Sequence, residues 1–256
     1  MPIIIDHEGP ITIVTINRPQ ARNAVNTETA LALRAAFKDF DADDKQSVAI
    51  LTGSDGAFCA GFDLKQASAG DGEIDHDPHA EGPMGPTRMT LSKPVIAAVE
   101  GHAVAGGLEL ALWCDMRVAA ETAVFGVYCR RWGVPLIDGG TIRLPRLIGQ
   151  SRAIDMILTG RPVEAPEALS FGLANRLVPT GEALTAAKEL AREIAKFPQL
   201  CMRADRMSAH QQWSMDLPDA LVCEMKGGLK PLAEETRAGA ARFAAGKGRG
   251  GDFNSI

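Results

Sequence analysis

The chain has 256 residues, of which 46% are hydrophobic and 23% are charged, and this composition is typical of a folded globular protein. It excludes fibrous and disordered classes of protein. The 32 acidic and 27 basic side chains give a net charge of -5, the wrong sign for a surface that binds a phosphate backbone, so we expect no nucleic acid partner.

Five cysteines occur at wide spacing without a Cys-x-x-Cys pair, which predicts reduced thiols and a cytoplasmic location. The first ten residues contain Asp6 and Glu8, where a secretory signal needs a basic start and an apolar stretch. The most apolar segment, residues 94–116, is interrupted by Glu100 and Glu109 among other polar residues. A bilayer span needs about 20 predominantly apolar residues, so we expect no membrane span.

The first elements predicted along the chain are two strands, at residues 3–5 and 11–16, where β-branched side chains stand on both sides of a Gly-Pro turn. A helix follows, with Thr27 as its N-cap, an apolar face at three-to-four spacing and an end near Asp43. Short buried strands are then predicted at residues 48–51 and 95–99. Strands that alternate with helices predict βα units.

Residues 66–87 are rich in Gly, Pro, Asp and His and have no apolar period, which predicts a surface excursion that is either a lid or disordered. After residue 141 the sequence predicts a mainly helical region. The helices expected there are at residues 151–158, 166–171, 184–197, 200–212 and 232–243. We therefore expect a core of residues 1–195 and a C-terminal helical region of residues 196–256.

The segment from His102 to Leu112 follows a predicted strand and enters a helix at Gly106 and Gly107. Glycine lets a ligand approach the backbone closely, and the first N–H groups of a helix have no internal acceptor, so they bind developing negative charge. Glu109 lies three residues after Gly106, on the same helix face. The segment predicts a pocket that holds a polarising donor and a base. In the alternative, the glycines only permit close packing and Glu109 faces solvent.

A second segment, Gly56 to Lys65, follows the strand that ends at residue 51. These two segments belong to a longer series of stretches whose order and spacing along the chain form a pattern. The stretches are Arg22-Asn23-Ala24-Val25-Asn26, Ala60-Gly61-Phe62-Asp63-Leu64-Lys65, Lys93-Pro94-Val95-Ile96-Ala97, Ala105-Gly106-Gly107-Leu108-Glu109-Leu110, Cys114-Asp115, Phe125-Gly126, Gly139-Gly140-Thr141, Leu158-Thr159-Gly160 and Gly172-Leu173-Ala174. Together they resemble the crotonase, or enoyl-CoA hydratase/isomerase, family over residues 11–243.

The resemblance implies an α/β fold with a repeated ββα spiral core and a helical C-terminal region through which subunits form a trimer or a dimer of trimers. It also implies that the substrate is an acyl-CoA thioester. Coenzyme A is then part of the substrate, and we expect no separate cofactor.

The resemblance assigns the oxyanion hole, which stabilises a thioester enolate, to the backbone N–H groups of Phe62 and Gly106. Lys65 would lie near the CoA phosphates, and its alternative is a solvated surface side chain. The other residues that we expect to bind the substrate are Ala60, Asp63, Leu64 and Cys129.

Hydratases of the family use two glutamates, and Cys129 stands where the second is expected, while Glu109 aligns with the first. A thiol with a pKa near 8.5 is a poor substitute for a carboxylate. Cys129 is then either a nucleophile or a small packing residue. We hypothesise that Asp138, ahead of Gly139 and Gly140, forms the acid/base pair with Glu109, as acidic residues do at a similar turn in dienoyl-CoA isomerases. The alternative for Asp138 is a helix cap.

The reaction expected first is addition of water to a 2-enoyl-CoA. The alternatives are an enoyl- or dienoyl-CoA isomerase, a thioester hydrolase or carbon–carbon lyase, and a non-catalytic protein that binds CoA esters. Metal-capable side chains occur in Asp75-His76-Asp77-Pro78-His79, but this loop has no structural signal, and we expect no metal site.

Overall fold

The computed structural model describes residues 1–70, 77, 79, 81–248, 250 and 252. The strands are β1 (Ile3–Glu8), β2 (Ile11–Ile16), β3 (Val48–Gly53), β4 (Val95–Val99), β5 (His102–Val104), β6 (Met116–Ala120), β7 (Val124–Gly126), β8 (Val163–Glu164) and β9 (Arg176–Val178). The helices are α1 (Thr27–Ala42), α2 (Leu64–Ala69), α3 (Gly106–Trp113), α4 (Gly140–Ile148), α5 (Gln150–Thr159), α6 (Ala165–Phe171), α7 (Ala183–Lys196), α8 (Gln199–Gln211), α9 (Leu217–Glu234) and α10 (Thr236–Ala244).

Six strands form the main sheet in the order β1-β2-β3-β4-β6-β9, in which β1 and β2 are antiparallel and every later pair is parallel. A second sheet has the order β5-β7-β8. Parallel neighbours need crossover connections, and helices such as α1, between β2 and β3, supply them. The βα organisation predicted from the sequence is therefore confirmed.

The central strands face two hydrophobic cores. In β3, Val48 and Ile50 pack in one core with the alanines of α7, while Ala49 and Leu51 pack in the other with Phe37 of α1. Successive strand residues point to opposite faces, so a strand that is covered on both faces needs an unbroken apolar run. This is why residues 48–51 could be recognised as a buried strand.

The N-cap of α1 differs from the prediction by one residue. Asn26 Oδ1 accepts a hydrogen bond from the Thr29 N–H at 3.0 Å, and Thr27 is the first helical residue. The prediction of Thr27 as the cap is wrong, because Asn satisfies a free helix N–H as well as Thr does. The helix ends at Asp43, as expected.

The C-terminal region is helical, but its last part was divided wrongly. The structure has α9 and α10 where one helix at residues 232–243 was expected. Gly227, Gly228 and Pro231 lie inside α9, and such residues normally lower helix stability, so the local pattern indicated a helix only weakly there. No helix within the described residues is long and apolar enough to cross a membrane.

The boundary predicted between residues 195 and 196 falls in the last turn of α7, which packs on the main sheet, and it stays a prediction. After α7 the chain contacts the core again at Asp115, which follows α3. Asp115 Oδ1 lies 2.8 Å from both Arg206 Nε and His210 Nε2 of α8.

The prediction of a surface excursion at residues 66–87 is wrong at its C-terminal end. Residues 71–76, 78 and 80 lie outside the described part of the chain. Met84 and Thr87, however, are 1% and 0% exposed. Both are covered because they contact the groups described next.

Candidate active site

A cavity of about 270 Å³ lies at the N-terminus of α3. Much of its wall is apolar, with Phe62, Met84 and Val134 among the lining residues. The carboxylates of Glu109 and Asp138 also line it, and both residues are buried. A mostly apolar cavity with a few convergent polar groups is the usual form of a small-molecule site.

Close backbone contacts form one wall of this cavity. The Cys59 N–H donates to His102 O at 2.9 Å and the Val104 N–H to Cys59 O at 3.1 Å, so the segment before Phe62 runs beside β5. Gly61 has a φ of +101°, and a Cβ added there would lie only 3.0 Å from the backbone nitrogen of Gly106. Glycine at this position therefore brings the two backbone segments together.

The N–H groups of Phe62 and Gly106 both lie at the cavity. Neither donates a hydrogen bond to an acceptor among the residues that the structure describes. Gly106 is the first residue of α3, so its N–H has no partner within the helix and carries the positive end of the helix dipole. The two groups are arranged to bind an oxygen that gains negative charge.

Glu109 is held by the turn before α4. Its Oε1 accepts hydrogen bonds from the Asp138 N–H at 2.9 Å and the Gly140 N–H at 2.8 Å. Burial raises the pKa of Glu109 to about 7, against the lowering effect of the Gly140 N–H, and the charge of Asp138 raises it further. Glu109 is 2% exposed, so the alternative that it faces solvent is excluded.

Asp138 connects this turn with residues 84–87. Its Oδ1 accepts hydrogen bonds from the Met84 N–H at 3.0 Å and from the Thr87 hydroxyl. Burial raises the pKa of Asp138, although these donors act to lower it. The side chain does not cap α4, whose N-cap is Gly139 without a side-chain hydrogen bond, so the helix-cap alternative is wrong.

Arg143 lies behind both carboxylates. Its Nη1 donates to Asp138 O at 3.0 Å and its Nη2 to Thr87 O at 2.7 Å. Burial lowers the pKa of Arg143, and the charge of Glu109 acts to raise it. This guanidinium fixes the turn at residue 138 and the segment at residue 87 in one arrangement.

Cys129 lines the cavity from the 3₁₀ turn Tyr128–Trp132. Burial raises the pKa of its thiol, and the negative charge of Glu109 adds to this effect. A thiol in this setting is protonated at neutral pH, which opposes its use as a nucleophile.

A second cavity of about 430 Å³ lies between α4 and α8 and is lined by Arg146, Arg206 and His210, among others. Its carboxylate, Asp115, accepts hydrogen bonds from Arg206, from His210 and, at 2.8 Å, from the Val95 N–H. Asp115 is thus already paired with two basic side chains, whereas Glu109 and Asp138 form no ion pair within the described part of the chain, so we take the cavity at Glu109 as the candidate active site.

Residues 6–247 match the family model described as enoyl-CoA hydratase/isomerase. The chain belongs to this family. The fold is the crotonase fold, as the sequence predicted, with a helical C-terminal part on an α/β core.

Relatives in the family include proteins named as an enoyl-CoA hydratase and as carnitinyl-CoA dehydratases. An enoyl-CoA hydratase of Mycobacterium tuberculosis is 38% identical, over 94% of this chain and 92% of the relative. A carnitinyl-CoA dehydratase of Salmonella paratyphi A is 40% identical, over 78% and 77%. The crystal structure of an enoyl-CoA hydratase from Mycobacterium marinum matches with a TM-score of 0.89 and 37% identity, over 95% of this chain and 96% of that one.

The residues expected to bind substrate do not all reach the cavity of this family member. Ala60 and Leu64 line it, together with Phe62 and Gly106. The Asp63 carboxylate lies outside it, 2.9 Å from Arg18 Nη2, and caps α2 by accepting from the Lys65 N–H at 3.1 Å. Lys65 is exposed outside the cavity wall. For Lys65 both alternatives, a CoA contact and a solvated side chain, stay open.

Several site residues carried no usable sequence signal. Met84, Thr87 and Arg143 surround the two carboxylates through contacts between residues 51 to 56 positions apart. Met84 also packs on the helix start, because a Cβ on Gly106 would lie 2.5 Å from its sulfur. The one available hint was Arg143, one helical turn after the Gly139-Gly140 pair.

The cavity has no set of metal ligands. Within the described part of the chain, no group of three or more His, Cys, Asp or Glu side chains is placed to hold a metal ion. Most of the 75–79 segment, which contains metal-capable side chains, lies outside the described residues.

Proposed function

We propose that the protein adds water to the double bond of a 2-enoyl-CoA thioester. The observation that carries this proposal is the placement of Glu109, whose Oε1 is fixed by two N–H groups one helical turn from the Gly106 N–H. A base is thereby held beside a site that stabilises an oxyanion. The proposed reaction needs no cofactor, because coenzyme A is part of the substrate.

In the proposed mechanism the thioester oxygen accepts hydrogen bonds from the N–H groups of Phe62 and Gly106. Glu109 takes a proton from water while the water oxygen bonds to the β carbon, and the double-bond electrons form an enolate. Asp138, in its protonated form, then gives a proton to the α carbon, and the proton taken up by Glu109 returns to Asp138 to complete the cycle. A pKa of about 7 lets Glu109 take up and release a proton near neutral pH, and burial raises the pKa of Asp138, which favours its protonated form. One oxyanion donor typically contributes about 3 kcal/mol of transition-state stabilisation.

The second candidate is a double-bond isomerase, and Cys129 is the observation that favours it. A thiol stands where family hydratases are expected to carry the second of the two carboxylates that share the hydration step, and double-bond migration needs an enolate and a proton relay but no bound water. The weaker alternatives, a thioester hydrolase or lyase and a non-catalytic CoA-ester protein, have no specific observation in their favour.

The experiment that tests the proposal is an assay of crotonyl-CoA and longer 2-enoyl-CoA esters, followed through loss of the enoyl thioester absorbance. 3-Enoyl-CoA esters are assayed in parallel. Wild type and Glu109→Gln are compared. Glu109-dependent loss of absorbance from 2-enoyl esters is expected, whereas turnover of 3-enoyl esters alone favours the isomerase.

We also propose that the protein forms a trimer or a dimer of trimers. The support is the exposed apolar face of α9, where Leu221, Met225 and Leu229 are each more than half exposed. Residues at this spacing share one helix face. The cytoplasmic location stays a prediction from the sequence.

A further inference from the structure

Two neighbouring arginines follow Cys129, and only one reaches the cavity. Arg131 lines the cavity wall, and its Cζ lies 4.2 Å from the ring centroid of Tyr128. Arg130 lies outside the wall and donates from Nε to Ile157 O at 3.0 Å. The two side chains therefore form a matched pair, with the same charge in two different places.

The ring that supports Arg131 is itself held in place. A Cβ on Gly126 would lie 2.5 Å from Tyr128 Cε1, so the ring lies against the Gly126 backbone. His102 contacts the ring from its edge, at 6.3 Å between centroids. A guanidinium stacked on a fixed ring loses less freedom when it binds a ligand than a free one does.

Arg131 forms no ion pair with any carboxylate in the described part of the chain. Arg18 and Arg161, by contrast, pair with carboxylates at 2.9 and 2.6 Å. The carboxylates in the cavity, Glu109 and Asp138, are bonded to backbone N–H groups and to Thr87 instead. Arg131 thus presents unused donors with the fork geometry that a carboxylate matches.

Arg131 and the segment expected to bind CoA belong to different parts of the chain. The expected CoA segment is residues 60–65, and Arg22 lies beside it, since the Ala60 N–H donates to Arg22 O at 3.1 Å. Arg131 is on a different segment, two residues after Cys129. The charge of Glu109 raises the pKa of the Cys129 thiol. Tyr128 and Arg131 line the same cavity as Glu109 and Cys129, so an acyl group bound in that cavity can contact the Tyr128–Arg131 pair.

We propose that the preferred substrate carries a carboxylate at the far end of its acyl group and that Arg131 binds this carboxylate. The inference rests on the proposed function, because it takes the thioester to be bound at Phe62 and Gly106. Arg131 is then a specificity-determining residue. A phosphate of coenzyme A presents similar chemistry to an arginine, and the test separates the two sources of negative charge.

The test compares 2-hexenoyl-CoA with 2-hexenedioyl-CoA, which differ only in the terminal carboxylate, and includes the neutral terminal amide. Wild type is expected to favour the dicarboxylic ester in kcat/KM by about 10-fold, the scale of a hydrogen bond to a charged group. Arg131→Gln is expected to remove this preference. Arg131→Lys should keep part of it, and Arg130→Gln should keep all of it.

Two kinetic results would overturn the inference. One is equal or better use of the monocarboxylic ester by wild type. The other is an equal loss in Arg131→Gln for both esters and the amide, which assigns Arg131 to a CoA phosphate.

Calorimetric binding of the saturated esters adipoyl-CoA and hexanoyl-CoA makes the test independent of turnover. Tighter binding of adipoyl-CoA that depends on Arg131 supports the inference even if no ester is turned over, in which case only the proposed reaction fails. Equal affinity for the two saturated esters overturns the inference whatever the kinetics.

Discussion

At Glu109 burial and backbone donors act in opposite directions on one carboxyl group. Burial raises its pKa to about 7, and the N–H groups of Gly140 and Asp138 limit the rise. Both protonation states are therefore populated near neutral pH, which suits a group that takes up and releases a proton. Burial of Glu109 also lowers the stability of the folded protein when its carboxyl group is charged.

The difference in unfolding free energy between Glu109→Gln and wild type is therefore predicted to depend on pH. Because the pKa of Glu109 in the folded protein lies above its ordinary value of 4.5, ionisation of Glu109 destabilises the fold increasingly between about pH 4.5 and 7. Gln keeps an oxygen acceptor and has no charge. Denaturant unfolding should show the variant gaining about 2 to 3 kcal/mol relative to wild type between pH 5 and 8. A difference that is independent of pH would contradict the assigned burial.

Asp138 holds residues 84–87 through Oδ1 and is proposed to act as an acid, and two substitutions separate these roles. Asp138→Asn keeps an acceptor for the Met84 N–H, so it should fold normally and lose about 100-fold in kcat. Asp138→Ala also loses the anchor, and should raise KM and lower the melting temperature. Full turnover by Asp138→Asn would remove Asp138 from the mechanism.

Cys129 is expected to be dispensable for proton transfer. Burial and the charge of Glu109 raise the pKa of its thiol, so it stays protonated near neutral pH. Cys129→Ser should therefore change kcat far less than Glu109→Gln does, and iodoacetamide should inactivate the wild type slowly. Rapid inactivation that substrate prevents would instead indicate a reactive thiolate.

At the scale of helices, Gly140 leaves room for the Glu109 carboxylate, whereas Gly227 only lowers the stability of its helix. A Cβ on Gly140 would lie 2.9 Å from Glu109 Oε1, whereas a Cβ on Gly227 of α9 meets nothing within 4 Å. Gly140→Ala should displace the Glu109 carboxylate and reduce kcat strongly. Gly227→Ala should leave activity unchanged and stabilise by about 0.5 to 1 kcal/mol. Kinetics and thermal unfolding check both, and an active Gly140→Ala would contradict the assigned role of the turn.

The sequence predicted elements that local patterns determine. The buried run at residues 48–51 and the Gly106-Gly107 helix start were recognisable because strand alternation and glycine placement are local signals. α9 was missed in large part because Gly227, Gly228 and Pro231 argue against a helix. The burial of residues 84–87 arises from contacts with Asp138 and Arg143 more than 50 positions away, which no local pattern encodes.

For the whole molecule, we consider the apolar face of α9, which is exposed in a single chain. The apolar side chains of Leu221, Met225 and Leu229 are each more than half exposed, which supports the proposed assembly. Light scattering should give a mass three or six times the 27.2 kDa of one chain. Met225→Glu should lower that mass, while the neighbouring Lys226→Gln should not. A wild-type monomer would contradict the proposed assembly.

The most direct test of the proposed hydration is the mass of the product that wild type and Glu109→Gln form from crotonyl-CoA in heavy-oxygen water. Wild type is expected to form a hydroxyacyl-CoA one water heavier than the substrate, with the heavy oxygen in the acyl group, and Glu109→Gln is expected to form almost none. A wild-type product of unchanged mass, or equal hydration by the variant, would contradict the proposal.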